Sequence, residues 1–187
     1  MAKVIATRWY HHTFEAVTWE TSEIRQWLNV DFFASFSPAN QARIAETYVI
    51  NNDNPWDFLE WGGWVNALGG NNTVDRIFLL SIDEVLRYFG DSGLVDRGAT
   101  MGANERNEST YEGLGRWGIF DQYSEARIAH DLGGWASWWW LRSPGYNPYR
   151  AADVSPSGHL DLLGVDVGRS GGVRPALWLN LGEHFTQ

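Results

Sequence analysis

An α+β domain with segregated elements is what this sequence predicts, from three observations. Helix-start signals at Thr21, Ser37-Pro38 and Ser81 all fall in the first half of the chain. The last third reads instead as short apolar and aromatic stretches broken by Gly, Pro and Ser, the pattern of strands joined by turns. Finally, 187 residues that are 44% hydrophobic, with twelve Trp, can build one substantial core, so residues 1–187 are read as a single domain.

Lys3 to Tyr10 is β-rich and is expected to open the fold as a strand. Thr21 is a candidate N-cap with Glu23 in the first turn, and Ile24, Trp27, Leu28, Asp31 and Phe32 recur at three and four, which gives an amphipathic helix. Ser37-Pro38 starts a second helix reaching about Glu46, and Tyr48 to Asn51 is a short strand. Asn51 to Asn72 is a long polar loop tied down by Trp56, Phe58, Trp61 and Trp64. Arg76 to Leu80 is read as a strand, followed by the capping box Ser81-Ile82-Asp83-Glu84 and a helix whose Ile82, Val85, Leu86 and Phe89 share a face. Gly90 ends it, and Asp91 to Glu112 lacks periodicity and is expected to be surface loop.

Trp138 to Arg142 is a strand with Trp138 and Trp140 on one face and Trp139 on the other, closed by the turn residues Ser143-Pro144-Gly145. Ala151 to Val154, the turn Ser155-Pro156-Ser157-Gly158 and His159 to Leu163 form a hairpin. Gly172 to Leu181 returns as a strand with Pro175 limiting its ladder bonds. Residues 146–171 thus read as a presenting surface bracketed by two packed strands, the usual setting of binding loops.

Composition excludes several classes. Net charge is -9 and Lys3 is the only lysine, so no basic stripe exists for a phosphate backbone and nucleic acid is set aside as a partner. Zero Cys removes disulfides, thiolate metal sites and cysteine nucleophiles. No charged-then-apolar leader opens the sequence and no apolar run approaches membrane length, so membrane insertion is not expected. Gly168-Arg169-Ser170-Gly171-Gly172 satisfies G-x-S-x-G, but a nucleophile elbow needs a helix after the serine, and Val173-Arg174-Pro175 does not begin one. His11, His12, His130, His159 and His184 lack the i, i+4 spacing of helical metal ligands, and His11 and His12 are expected to point in opposite directions on a strand. No catalytic residue, metal site or cofactor is therefore assigned. Arg142 and Arg174 are read as structural forks bracing carbonyls or carboxylates.

Trp139-Trp140-Leu141-Arg142-Ser143-Pro144-Gly145, Ala151-Ala152, Val154, Gly158 and the closing Gly172-Val173-Arg174-Pro175-Ala176-Leu177 resemble the C-terminal module of variable proteins from diversity-generating retroelements. The resemblance extends to Thr18–Asn29 and Asp75–Val85, and not to Asn54–Asn72 or Asp91–Ser124. It implies a C-type-lectin-like fold with a C-terminal variable region, in which adenine-directed copying errors diversify AAC codons on a fixed framework. Such codons keep their final C and cannot encode Lys, Gln, Glu, Met or Trp. None of the five occurs in the twenty-six residues 146–171, where composition elsewhere, 30 in 161, would place about five.

The residues this implies for ligand binding are Tyr146, Asn147, Pro148, Tyr149, Arg150, Asp153, Ser155, Ser157, His159, Asp161, Leu163, Val165, Asp166 and Arg169. Tyr, Ser, Asn, Asp and Arg are paratope chemistry, with Tyr146, Tyr149 and Arg150 as expected anchors whose replacement abolishes binding and spares stability. The expected partner is a macromolecule, a protein by preference, met in related families at phage tips or cell surfaces. The calcium-dependent sugar tripeptides of C-type lectins are absent, and formylglycine-generating chemistry on the same fold class would need cysteine. Two alternatives remain at this stage: an enzyme on that scaffold with His130 or Asp121 in a deep pocket, and a structural virion or surface component whose self-association covers the segment.

Overall fold

In a computed structural model, residues 2–56 and 67–181 are described. Phe58, Trp61, Trp64 and His184 lie outside them. The chain is α+β. Its principal sheet has six strands: β1 (Ala6–Trp9), β4 (Gly118–Ile119), β7 (Trp139–Pro144), β8 (Arg150–Val154), β9 (Leu160–Asp166) and β10 (Ser170–Val173), ordered β1-β10-β7-β8-β9-β4. Only β10 and β7 run parallel; the other pairs are antiparallel. Two small ribbons flank it, β2 (Thr47–Val49) with β3 (Thr73–Asp75) and β5 (Ala129–His130) with β6 (Ala136–Ser137).

β7 is buried on both faces, which is why it reads as an unbroken aromatic run rather than an alternation. Trp139, Trp140 and Leu141 are all 0% exposed. Trp138 and Trp140 do share a face, edge to face at 4.8 Å, while Trp139 packs on the other side against Phe89. One apolar cluster continues from Val4 through Trp19, Leu28, Ile77 and Val85 to Val173.

The helices follow their caps. α1 (Glu23–Trp27) is capped by Ser22, one residue past the expected Thr21, because the Ser22 hydroxyl is the one that accepts from Arg25 N. It continues as a π-helical turn over Leu28–Phe32. α2 (Pro38–Gln41) is capped by Ser37 and stops short of Glu46, since Ile44 leaves to bridge Leu179. α3 (Ile82–Phe89) has the full capping box and ends at Gly90 with φ +116°.

Three expectations need correction. Arg76 to Leu80 is extended but is not a strand: Asn29 Oδ1 accepts the N–H groups of Arg76 and Ile77, and Arg142 takes the carbonyls of Leu79 and Leu80, so side chains and loop contacts replace a ladder and only Phe78 bridges Ala176. The expected closing strand from Gly172 to Leu181 is shorter, since past Val173 only isolated bridges at Ala176 and Leu179 remain. Within Asp91–Glu112 lie α4 (Leu94–Ala99) and α5 (Ala103–Glu108). They are held by Arg106, a fully buried side chain that donates to the Gly98 and Met101 carbonyls and lies 4.4 Å over the Trp56 ring. An anchor of that kind has no periodicity to betray it.

Candidate functional site

β8 and β9 pair as the expected hairpin around the turn at residues 155–158. Its framework positions are sealed: Ala152, Val154, Leu160 and Leu162 are 0% exposed. Along β9 these alternate with Asp161, Leu163 and Val165, which are half-buried and reach toward solvent. Asn54, 2% exposed, clamps the frame by donating from Nδ2 to the carbonyls of Pro144 (3.0 Å), Gly145 (3.0 Å) and Leu162 (2.7 Å). At the tip, Gly158 has φ +81°, and a Cβ there would lie 1.8 Å from the Ser124 carbonyl oxygen, so glycine is obligatory where the turn meets the first residue of α6 (Ser124–Arg127).

The candidate residues separate into three groups. Nine gather toward the open end of the hairpin: Tyr146, Asn147, Pro148, Tyr149 and Arg150 before and at the start of β8, Leu163, Val165 and Asp166 from the middle to the end of β9, and Arg169 beyond it. Arg169 is exposed and the other eight are half-buried. Ser155, Ser157 and His159 sit at the turn, about 15 Å away along the strands. Asp153 and Asp161 face each other across the middle.

Backbone bonds fix the open end. Tyr146 N donates to Leu163 O (3.0 Å), Val167 N to Tyr149 O (3.0 Å) and Val17 N to Pro148 O (2.9 Å). Asn147 Oδ1 accepts from Tyr149 N at 2.9 Å. Arg150 pairs with Asp166 at 2.9 Å, donates to Gly164 O at 2.9 Å and lies 5.3 Å over the Tyr146 ring. Tyr146 itself packs against the core cluster. Both residues are therefore braced within the fold, and alanine at either removes internal contacts as well as surface, contrary to the expectation that stability is spared. Tyr149 instead stacks on Phe14 at 5.1 Å. Phe14, 66% exposed, is a member of this face that sequence reasoning missed, because the contact spans 135 positions and leaves no local signal.

Asp153 needs a second correction. It is 4% exposed, and its Oδ1 has no hydrogen-bond partner among the described residues. β8 is buried from Ala151 to Val154, so both faces of the strand are covered there and no position after Arg150 in it reaches water. Burial pushes the Asp153 carboxyl well above the ordinary carboxylate range, Asp161 across the ladder adds to the shift, and Arg150 partly opposes it. Burial likewise raises Asp161 and lowers His159. The native state then holds a proton that the unfolded chain releases near pH 4, so this group's contribution to stability is present below that pH and is lost as pH rises through the raised native value. Asp153→Asn is expected to stabilise the protein at neutral pH by about 1–3 kcal/mol and to flatten that part of the stability profile. Urea unfolding across a pH series reads both; a destabilised variant would contradict the assignment.

The other motifs resolve simply. Ser170 begins β10 opposite Trp9 and the strand continues to Val173, so G-x-S-x-G does not form an elbow. Asp121 lines a cavity of about 360 Å³ with Glu112, Phe120 and Gln122, but its carboxylate is taken by Arg127, Ser92 and Tyr123 N. His130 is not among that cavity's lining residues; its backbone N–H donates to Ala2 O. Among the described residues no helix is long and apolar enough to cross a membrane. A family model described as a domain of unknown function, DUF6273, matches residues 1–181. No curated protein and no solved structure matches the chain.

Proposed function

We propose that this chain, which belongs to the DUF6273 family of domains of unknown function, is a recognition protein that presents exchangeable side chains at the open end of the β8–β9 hairpin to a macromolecular partner. The single observation that carries the reading is the split between frame and face. Nine of the fourteen candidate positions converge where two buried strands open, with their backbone held by framework bonds and with Arg169 and Tyr149 at the rim. A surface built in this way tolerates side-chain exchange, since little of its path depends on the rim side chains. The resemblance of the frame to retroelement variable proteins, and the absence of five residue types from 146–171, support adenine-directed diversification as the source of that exchange and a C-type-lectin-like scaffold beneath it.

Simultaneous replacement of Tyr149 and Arg169 by Ala or Gly is the direct test of exchangeability. Surface changes of this sort sum to less than about 2 kcal/mol, so the melting temperature falls by only a few degrees. A collapse would assign those residues to the fold instead. Sequencing the encoding locus tests the origin: a near-copy of the segment differing at adenines, beside a reverse transcriptase, is expected, and a locus with neither would sink the retroelement reading.

A further inference from the structure

The backbone leaves strand geometry immediately after Trp9, and His11 and His12 stand in the bend that follows. Neighbouring side chains diverge on a strand but not in this bend: the two imidazole rings stack at 5.7 Å with 26° between their planes, against the sequence expectation. The bend is fixed from two sides. Tyr10 N and His11 N both donate to Val167 O at 3.1 Å, and Ile24 N donates to Tyr10 O at 3.1 Å, which lays the first turn of α1 against it. Glu23, the first residue of α1, is thereby brought to His12: its Oε2 accepts from His12 N at 2.9 Å, and its Oε1 meets His12 Nδ1. One donor atom from each of His11, His12 and Glu23 then lies within 4.8 Å of the other two. Glu15 Oε1 holds His11 Nε2 at 2.7 Å, which leaves Nδ1, buried and without a hydrogen-bond partner among the described residues.

We propose that His11, His12 and Glu23 form a binding site for a divalent transition ion of the zinc type, with Glu15 as the carboxylate that orients His11. Two neutral imidazole nitrogens and one carboxylate oxygen suit borderline ions such as Zn²⁺ and are too few oxygens for Ca²⁺. Three protein ligands leave a fourth position, and it opens outward, because the His12 and Glu23 side chains are 58% and 39% exposed. A carboxylate or histidine–carboxylate pair that orients a metal-bound imidazole through its other nitrogen is a recurrent arrangement, and the Glu15–His11 contact has that form. In a chain with no cysteine the ion would tie the bend after β1 to the start of α1, a tertiary link between residues twelve positions apart. The same bend carries Phe14 against Tyr149, so the ion would lie beside the recognition face; the site itself stands independently of that face having a partner.

The full-length protein is first treated with a chelator and then titrated with ZnCl₂ by calorimetry, with CaCl₂ titrated in parallel. Saturable binding of one Zn²⁺ per chain, no heat from Ca²⁺, and a rise in melting temperature with Zn²⁺ are expected. His12→Ala and Glu23→Gln should each weaken Zn²⁺ at least tenfold, Glu15→Gln roughly tenfold, and Glu46→Gln, whose carboxylate pairs with Arg76, not at all. Glu23→Gln keeps the shape of the side chain, and circular dichroism of the metal-free variants checks that all four fold. Zn²⁺ binding that is undetectable in the wild type, or that survives both His12→Ala and Glu23→Gln, overturns the site and identifies the contacts as two ordinary ion pairs.

Discussion

Arg142→Met should cost about 3–5 kcal/mol of folding stability, read as a fall in the urea midpoint without loss of the cooperative transition. Arg142 projects from the middle of β7, is 4% exposed, and uses its whole fork. Nη1 donates to Leu79 O at 2.7 Å, Nη2 to Ile50 O at 3.0 Å and Nε to Asn51 Oδ1 at 3.2 Å, while both terminal nitrogens reach Glu84. One guanidinium thus fastens the segment after β2, the extended run before α3 and the α3 capping box to the central strand. Methionine fills much of the volume but satisfies none of these acceptors, and Glu84 is left beside an apolar side chain with only a quarter of its own surface in water. Arg142→Lys is expected to recover little, because a point charge cannot span acceptors on three segments. A loss below about 1 kcal/mol for Arg142→Met would show that the network is incidental.

Trp139→Ala should cost a similar amount, about 3–5 kcal/mol, by a different route. Trp139 is 0% exposed and sits between β8 and β10, in register with Val154 and Gly172. Its indole donates to Arg127 O at 3.1 Å, and the guanidinium of Arg174 lies 4.7 Å over its ring and 4.6 Å over that of Phe89. Burial already lowers the Arg174 pKa, so this cation depends on the two rings that replace its water. Alanine opens a cavity, removes one of the two rings beside the guanidinium and leaves the Arg127 carbonyl with only the longer contact from Arg174 Nη1 at 3.4 Å. Trp139→Phe should restore roughly half by keeping a ring while still losing the hydrogen bond. The comparison of the two variants by thermal and urea unfolding separates packing from the polar contact; equal losses would mean that the ring contributes nothing beyond its N–H.

Much of the fold is legible along the chain where local chemistry and tertiary structure agree. Ser37-Pro38 and the Ser81–Glu84 box cap helices because their hydroxyls bond within three residues, and Gly90 and Gly158 stop or turn the backbone because positive φ favours glycine. Residues 151–163 read as a hairpin for the same local reason. Arg142 was recognisable as a structural fork, though its four partner residues were not. The candidate face was only partly readable. Period-two alternation holds on β9, where one side is open, and fails on β8, where both faces are buried and Asp153 with them. Phe14, Asn54 and Arg106 act through contacts with distant segments, and a single sequence carries no trace of which remote atom a side chain will meet.

Composition, caps and turn chemistry alone determine that this chain is α+β without cysteine chemistry, with a glycine-punctuated hairpin after an aromatic strand, since each of those properties is set within a few residues. Tertiary structure alone decides which side chains of that hairpin reach water, which carboxyl is trapped inside, and that two adjacent histidines meet a glutamate from α1. Those outcomes depend on how sheet edges are covered and how a bend is folded back on a helix, and both are settled by contacts between residues far apart in the chain.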